Sequence, residues 1–102
     1  MKTKRFHLGD VLSITTSKLV SPRLMVGVED ILSFMVGDRL FDFGLVMARD
    51  ACGPYLLEQF PQLMEVDISV VDTENYVQWL ADQVPKYGEW FEVKQISRHT
   101  PV

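Results

Sequence analysis

Ser21-Pro22-Arg23-Leu24-Met25-Val26-Gly27-Val28-Glu29-Asp30-Ile31-Leu32-Ser33-Phe34-Met35-Val36-Gly37 carries its own start and stop signals. A serine at an N-cap accepts a bond from a backbone N–H that has no partner inside the helix, and a proline at the first helical position has no N–H to lose. Gly37 supplies a left-handed stop at the other end. Between them Leu24, Met25, Val28, Ile31, Leu32 and Met35 recur at helical spacing and predict one buried stripe, with Glu29, Asp30 and Ser33 on the wet face. A helix of this kind buries its stripe only against neighbours, and the flanking sequence offers them on both sides.

On the N-terminal side, residues 4–8 read as a short strand, and Leu8, Val11, Leu12 and Thr15 fall at the spacing of a short first helix. On the C-terminal side Asp42 caps a third helix. From Phe43 to Cys52 its apolar residues surround the axis, the pattern of a central helix covered by its neighbours. Gly53-Pro54 is expected to break or kink it, Tyr55 to Phe60 to continue it, and Pro61 to end it. After a loop through Asp67, either Asp72 or Thr73 opens a final helix with Tyr76, Val77, Leu80, Ala81 and Val84 as its buried stripe. Glu74 in the first turn and Lys86 near the end suit the helix dipole. Gly88 releases the chain into residues 90–96, where Phe91, Val93 and Gln95 alternate with Trp90, Glu92 and Lys94 as in a strand. A lone strand is marginal, so this one should pair with residues 4–8. The expectation is a single α+β domain over residues 1–102, helix-dominated, with about four helices and a small antiparallel ribbon joining the N- and C-terminal strands.

Composition agrees. At 102 residues, 47% hydrophobic and 24% charged, the chain has the make-up of one ordinary globular domain. Its one cysteine, Cys52, has no internal partner and lies among Met47, Ala48, Tyr55 and Leu56, which points to a buried free thiol in a reducing compartment. His7, Gly9 and Asp10 interrupt what would be the apolar part of a signal peptide, and no stretch approaches the roughly 18 apolar residues that span a bilayer. The expected location is the cytoplasm. Net charge is −4, unevenly spread: +4 over residues 1–23 and −10 over residues 24–92. The acidic body argues against direct binding to nucleic acid or membrane and suits a partner with a basic surface.

Chemical motifs are sparse. His7 and His99 lie near opposite ends of the chain, and Ala51-Cys52-Gly53-Pro54 reads as a helix breaker rather than a nucleophile turn. The remaining catalytic or ligand-binding reading gathers His7, Asp10, Arg49 and Cys52 into one site. Glu65, Asp67, Asp72 and Glu74 form an acidic loop without the register or turn glycine of a calcium site. The glycines form no phosphate cradle, and a helix-turn-helix over residues 9–36 would present Glu29 and Asp30 where DNA readers carry basic side chains. No catalytic residue, metal or cofactor is assigned.

Binding residues are sought instead among side chains that the core does not need. Phe34 falls outside the main apolar arc on the side of Asp30, Trp79 lies beyond its helical stripe, and Trp90 faces away from Phe91 and Val93. Asp38-Arg39-Leu40-Phe41-Asp42-Phe43 mixes aromatics with charges, as interface hot spots do. It reads equally as an interaction turn and as a plain connector. The expected partner-binding set is Glu29, Asp30, Phe34, Asp38, Arg39, Phe41, Asp42 and Phe43. Homodimerisation is a second outlet for the same apolar excess. Arg49 projects into the arc of Leu45, Val46 and Cys52 and calls for a carboxylate partner, for which Asp10 is the choice; an anion site is the other reading of that arginine.

Four segments, 8–16, 27–35, 52–63 and 78–81, together resemble a family of small uncharacterised proteins encoded by phages, prophages and other bacterial mobile elements. They read Leu8-Gly9-Asp10-Val11-Leu12-Ser13-Ile14-Thr15-Thr16, Gly27-Val28-Glu29-Asp30-Ile31-Leu32-Ser33-Phe34-Met35, Cys52-Gly53-Pro54-Tyr55-Leu56-Leu57-Glu58-Gln59-Phe60-Pro61-Gln62-Leu63 and Gln78-Trp79-Leu80-Ala81. The likeness covers residues 6–90. Where that family often has a His and a Pro after the position of Phe41, this chain has Asp42-Phe43-Gly44-Leu45. The resemblance implies an accessory phage protein, of anti-CRISPR or other anti-defence type, that binds and inhibits or modulates a nucleic-acid-processing complex of the bacterial host through protein–protein contacts. The rival readings are the small ligand-binding domain or enzyme at His7, Asp10, Arg49 and Cys52, and a dimeric structural or regulatory phage protein.

Overall fold

Two terminal strands, β1 (Thr3–His7) and β2 (Trp90–Lys94), pair antiparallel, with Phe6 opposite Phe91 and His7 opposite Trp90; burial alternates along β2, whereas β1 is exposed up to Phe6. The computed structural model describes residues 3–16, 18–37 and 42–95, with side chains of the last span from Met47 onward. The expected ribbon is therefore present. Its inner face carries Phe6, Phe91 and Val93 into the core, and its outer face carries Trp90 to solvent.

β1 runs without a loop into α1 (Leu8–Thr15). His7 caps that helix by accepting the Gly9 N–H on Nδ1 at 3.0 Å, and the Leu8 N–H donates to the Glu89 carbonyl at 2.8 Å. Every residue from Leu8 to Ile14 is buried. α1, not the helix after Asp42, is the central one. Its polar members allow this because they are satisfied in place: Ser13 Oγ donates to the Gly9 carbonyl and accepts the Val20 N–H, at 2.8 and 3.0 Å.

α2 spans Met25–Val36 and ends, as its glycine predicts, at Gly37 in the left-handed region, φ 77°. Val28, Ile31, Leu32 and Met35 are buried, whereas Leu24 and Met25 are about half exposed. The helix thus starts later than Ser21-Pro22 suggests. Arg23 N–H bonds Ser21 Oγ and Leu24 N–H bonds the Ser21 carbonyl, at 3.1 and 3.0 Å, so residues 21–24 form a separate turn.

α3 (Asp42–Gln59) opens at the residue expected to cap it and is continuous through Gly53-Pro54, against the predicted break. Pro54 and Asp50 both lie on the wet side, so the carbonyl that proline leaves unbonded faces water. Its described residues are one-sided: Ala48, Cys52 and Leu56 are buried, while Met47 and Tyr55 are exposed. A 3-10 turn, Pro61–Glu65, follows and buries Leu63.

α4 spans Tyr76–Tyr87. Asp72 does cap, as one of the two expected residues, but it accepts the Glu74 and Asn75 N–H groups in a turn ahead of the helix. Glu74 accordingly lies before α4, and Lys86 is in its last turn. The buried stripe is rotated from the expected one. Tyr76, Trp79, Leu80, Val84 and Tyr87 pack on the core, whereas Val77 and Ala81 face outward. Trp79 and Tyr87 supply more apolar surface than Val77 and Ala81, and the helix turns to bury them. Among the described residues, no helix is long and apolar enough to cross a membrane.

Candidate functional site

The expected contact surface divides. Glu29 is exposed on α2. Phe34 is half-buried, its ring 5.7 Å from that of Phe6, and belongs to the core edge. Asp38, Arg39 and Phe41 lie outside the described residues; Asp42 and Phe43 begin α3, and their side chains are likewise not described.

Asp30 is occupied by structure. It receives Lys4 Nζ at 2.9 Å and Arg23 Nη1 at 3.1 Å. Burial pushes its carboxyl up, but the bonds and charges of Lys4 and Arg23 outweigh that and hold it below the usual aspartate range. A carboxylate held low stabilises the fold fully above its ordinary value of 3.8, and that contribution is lost as pH falls through the folded value. The difference in urea midpoint between the wild type and Asp30→Asn should therefore be largest near neutrality and close below the folded value. A difference that persists unchanged in acid would contradict this role.

Arg23 continues the network inward. Its Nη2 meets Asp10 Oδ2 at 2.8 Å; the hydrogen bond to Asp10 chiefly, with Asp30, raises its pKa against the opposing effect of burial. Asp10 is fully buried and also accepts the Ser21 hydroxyl. This is why α2 starts late: the turn at 21–24 is bent to bring two donors, the Ser21 hydroxyl and the Arg23 guanidinium, to a buried carboxylate on α1. Arg49 is not Asp10's partner, contrary to expectation. It reaches its neighbour Asp50 at 3.7 Å, and its Nε is buried without a hydrogen bond.

No hydrogen bond or ion pair among the described residues joins Arg49 or Cys52 to His7 or Asp10. Burial pushes the Cys52 thiol up to about 11, so roughly one thiol in ten thousand is the reactive thiolate at neutral pH. A thiol-specific disulfide reagent should leave the native chain unlabelled and react on urea unfolding; prompt native labelling would contradict the burial. Among the described residues, no group of three or more His, Cys, Asp or Glu could hold a metal ion.

The surface that stands out is apolar and was not foreseen. Leu24 adopts φ 54° and ψ −134°, and it is the one non-glycine residue with positive φ among those described. For a leucine this geometry costs on the order of 1–3 kcal/mol. It leaves the side chain half exposed beside exposed Met25 and Val26. Leu24 also borders a cleft of about 490 Å³ lined by Lys18, Leu19, Val71, Asp72, Thr73 and Tyr76. The Lys18 ammonium is turned to the carbonyls of Val71 and Ile68, at 2.9 and 3.4 Å. A second cleft, about 320 Å³, lies between Pro22 and the Val77, Leu80, Ala81 and Val84 face of α4, with His7 and Glu89 also lining it. The 18–24 segment borders both clefts; the first is closed by the 71–73 turn and Tyr76 at the start of α4, the second by α4 from Val77 to Val84. Sequence reasoning placed Leu24, Val77 and Ala81 in the core because their spacing fits a buried stripe; the strained turn that exposes Leu24 has no local sequence signal. Trp90, expected to face outward, does so; it meets the His7 ring edge-on, and the Arg5 guanidinium lies over its face.

A family model described as a domain of unknown function, DUF7736, matches residues 6–66. The match spans more than half of the chain, and the chain belongs to that family. No curated protein and no solved structure matches it.

Proposed function

We propose that this DUF7736 protein works by binding another protein rather than by making or breaking bonds, and that the strained, exposed Leu24 and the clefts beside it form the contact. Backbone strain gathers where a surface serves a function, and the observation that carries the reading is that Leu24, at positive φ, stands half exposed beside Met25 and Val26 at the edge of an apolar cleft. The ionisable groups of the interior support it: Asp10, Arg23 and Asp30 are engaged with one another, and Cys52 is kept protonated. The finer reading rests on the resemblance and on the −10 charge of residues 24–92. It makes the protein a phage or mobile-element accessory factor of the bacterial cytoplasm that inhibits or modulates a host nucleic-acid-processing complex, of anti-CRISPR or other anti-defence type, at a basic surface.

Two measurements test these levels. Leu24→Gly relieves the positive φ and should raise stability by about 1 kcal/mol, after allowance for the added freedom of the unfolded chain, while weakening partner binding. A variant less stable than the wild type would remove the strain argument. Expression of the chain in CRISPR-armed cells should restore plating of a targeted phage. Unchanged plating, together with no partner recovered from those cells, would overturn the finer reading.

A further inference from the structure

We infer that the paired clefts along α4 receive an amphipathic helix bearing basic residues, supplied by the partner protein; this rests on the protein-binding reading above and names its ligand. The shape argues for a helix. α4 is 12 residues, about 18 Å long; the second cleft runs along it from Val77 to Val84, and the first lies at its N-terminal end, where Tyr76 meets the 71–73 turn. Apolar side chains one and two turns apart on a partner helix match such a pair of depressions. An added strand would need unpaired backbone groups; the α4 wall of the second cleft offers none because a helix bonds its own, and at the first the Ile68 and Val71 carbonyls are taken by Lys18.

The floor is apolar: Leu19, Leu24 and Tyr76 in one cleft, Val77, Leu80 and Val84 in the other. Each cleft carries one carboxylate, Asp72 in the first and Glu89 in the second, where it faces the His7 ring nitrogen at 3.6 Å. Glu74 follows Asp72 in the same turn, and Asp67 lies at the start of the loop, held ionised because its carboxyl accepts the Ser69 N–H and is thereby lowered. None of Asp67, Asp72 and Glu74 is in an ion pair among the described residues. Lys18 opposes them with one charge, engaged with backbone carbonyls. Basic residues flanking the apolar stripe of a partner helix complete this arrangement, whereas acidic ones are repelled by it.

The test is a fluorescence anisotropy titration of the full chain with a labelled model helix of about 15 residues, leucines at i, i+3, i+4 and i+7 and lysines on the flanks. Saturable binding is expected, weakening with salt. The same leucine pattern flanked by glutamates should bind at least about tenfold more weakly, and Leu24→Gly and Val77→Asp should each cost the lysine helix about tenfold; both positions are exposed, so the fold tolerates them. The inference is overturned if the lysine helix does not bind, if the glutamate helix binds equally well, or if neither substitution matters. It is also overturned if sedimentation finds a dimer that Val77→Asp dissociates, because a second copy would then fill the clefts. If the lysine helix fails while a protein partner is still captured in a Leu24-dependent way, the helix is wrong and the protein-binding reading stands.

Discussion

Gly27→Ala should destabilise the chain by about 3 kcal/mol, read as a lowered urea midpoint. Alanine in place of glycine inside a helix ordinarily adds up to about 1 kcal/mol, so the expected sign is reversed. The reason is contact. A Cβ on Gly27 would lie inside the van der Waals shells of Asp10 Oδ1 and Ser21 Oγ and 3.1 Å from Asp10 Cγ. Neither neighbour is the free end of a flexible chain; both are buried and bonded to each other. The added methyl must push α2 away from α1 or break the Asp10–Ser21 contact. Gly9 makes the opposing approach: a Cβ there would meet the Val20 carbonyl and the Pro22 ring, each at 2.7 Å. Two glycines thus let α1, the 20–22 segment and α2 close on a buried carboxylate. A wild-type or raised midpoint for Gly27→Ala would show that they do not close so tightly.

Asp10→Ala should cost a similar amount. Removing one member of a buried ionic network usually costs about 3–5 kcal/mol because the other members are left unpaired. Here Arg23 is 45% exposed at its side chain and keeps Asp30, so water takes up part of the loss and about 2–3 kcal/mol is expected. The Ser21 hydroxyl has no such recourse, being fully buried. Asp10→Asn keeps the shape and an acceptor while removing the charge, and should fall between the wild type and alanine. Because Gly27 and Asp10 touch, the double variant Asp10→Ala/Gly27→Ala should be more stable than the sum of the single losses predicts; strict additivity would separate the two effects.

What could be read from the chain was whatever local chemistry decides. Gly37 stops α2, the alternation at 90–94 makes a strand, and Cys52 lies among apolar neighbours and is buried. What could not be read was decided across the chain. Ser21-Pro22 is a good helix start locally, but Asp10, eleven residues earlier in the sequence, takes the serine hydroxyl and bends the next three residues into a turn. α1 hides its central position behind Gly9, Asp10 and Ser13, which look like surface residues until their partners are found. The candidate site follows the same rule. Asp30 and Phe34 look available on α2, and the ribbon claims both, through Lys4 and Phe6. Leu24 looks like core and is held at the surface by the turn that the Asp10 network imposes.

The claim on which the account depends is that the surface around Leu24 is for contact with a protein. Wild-type and Leu24→Gly chains used side by side as bait in nuclease-treated host lysate, at low and at high salt, address it most directly. The account predicts that the wild type retains a nucleic-acid-processing complex at low salt, less of it at high salt, and that the glycine variant, though the more stable fold, retains far less at either. Equal recovery by the two baits, or recovery by neither, would contradict it.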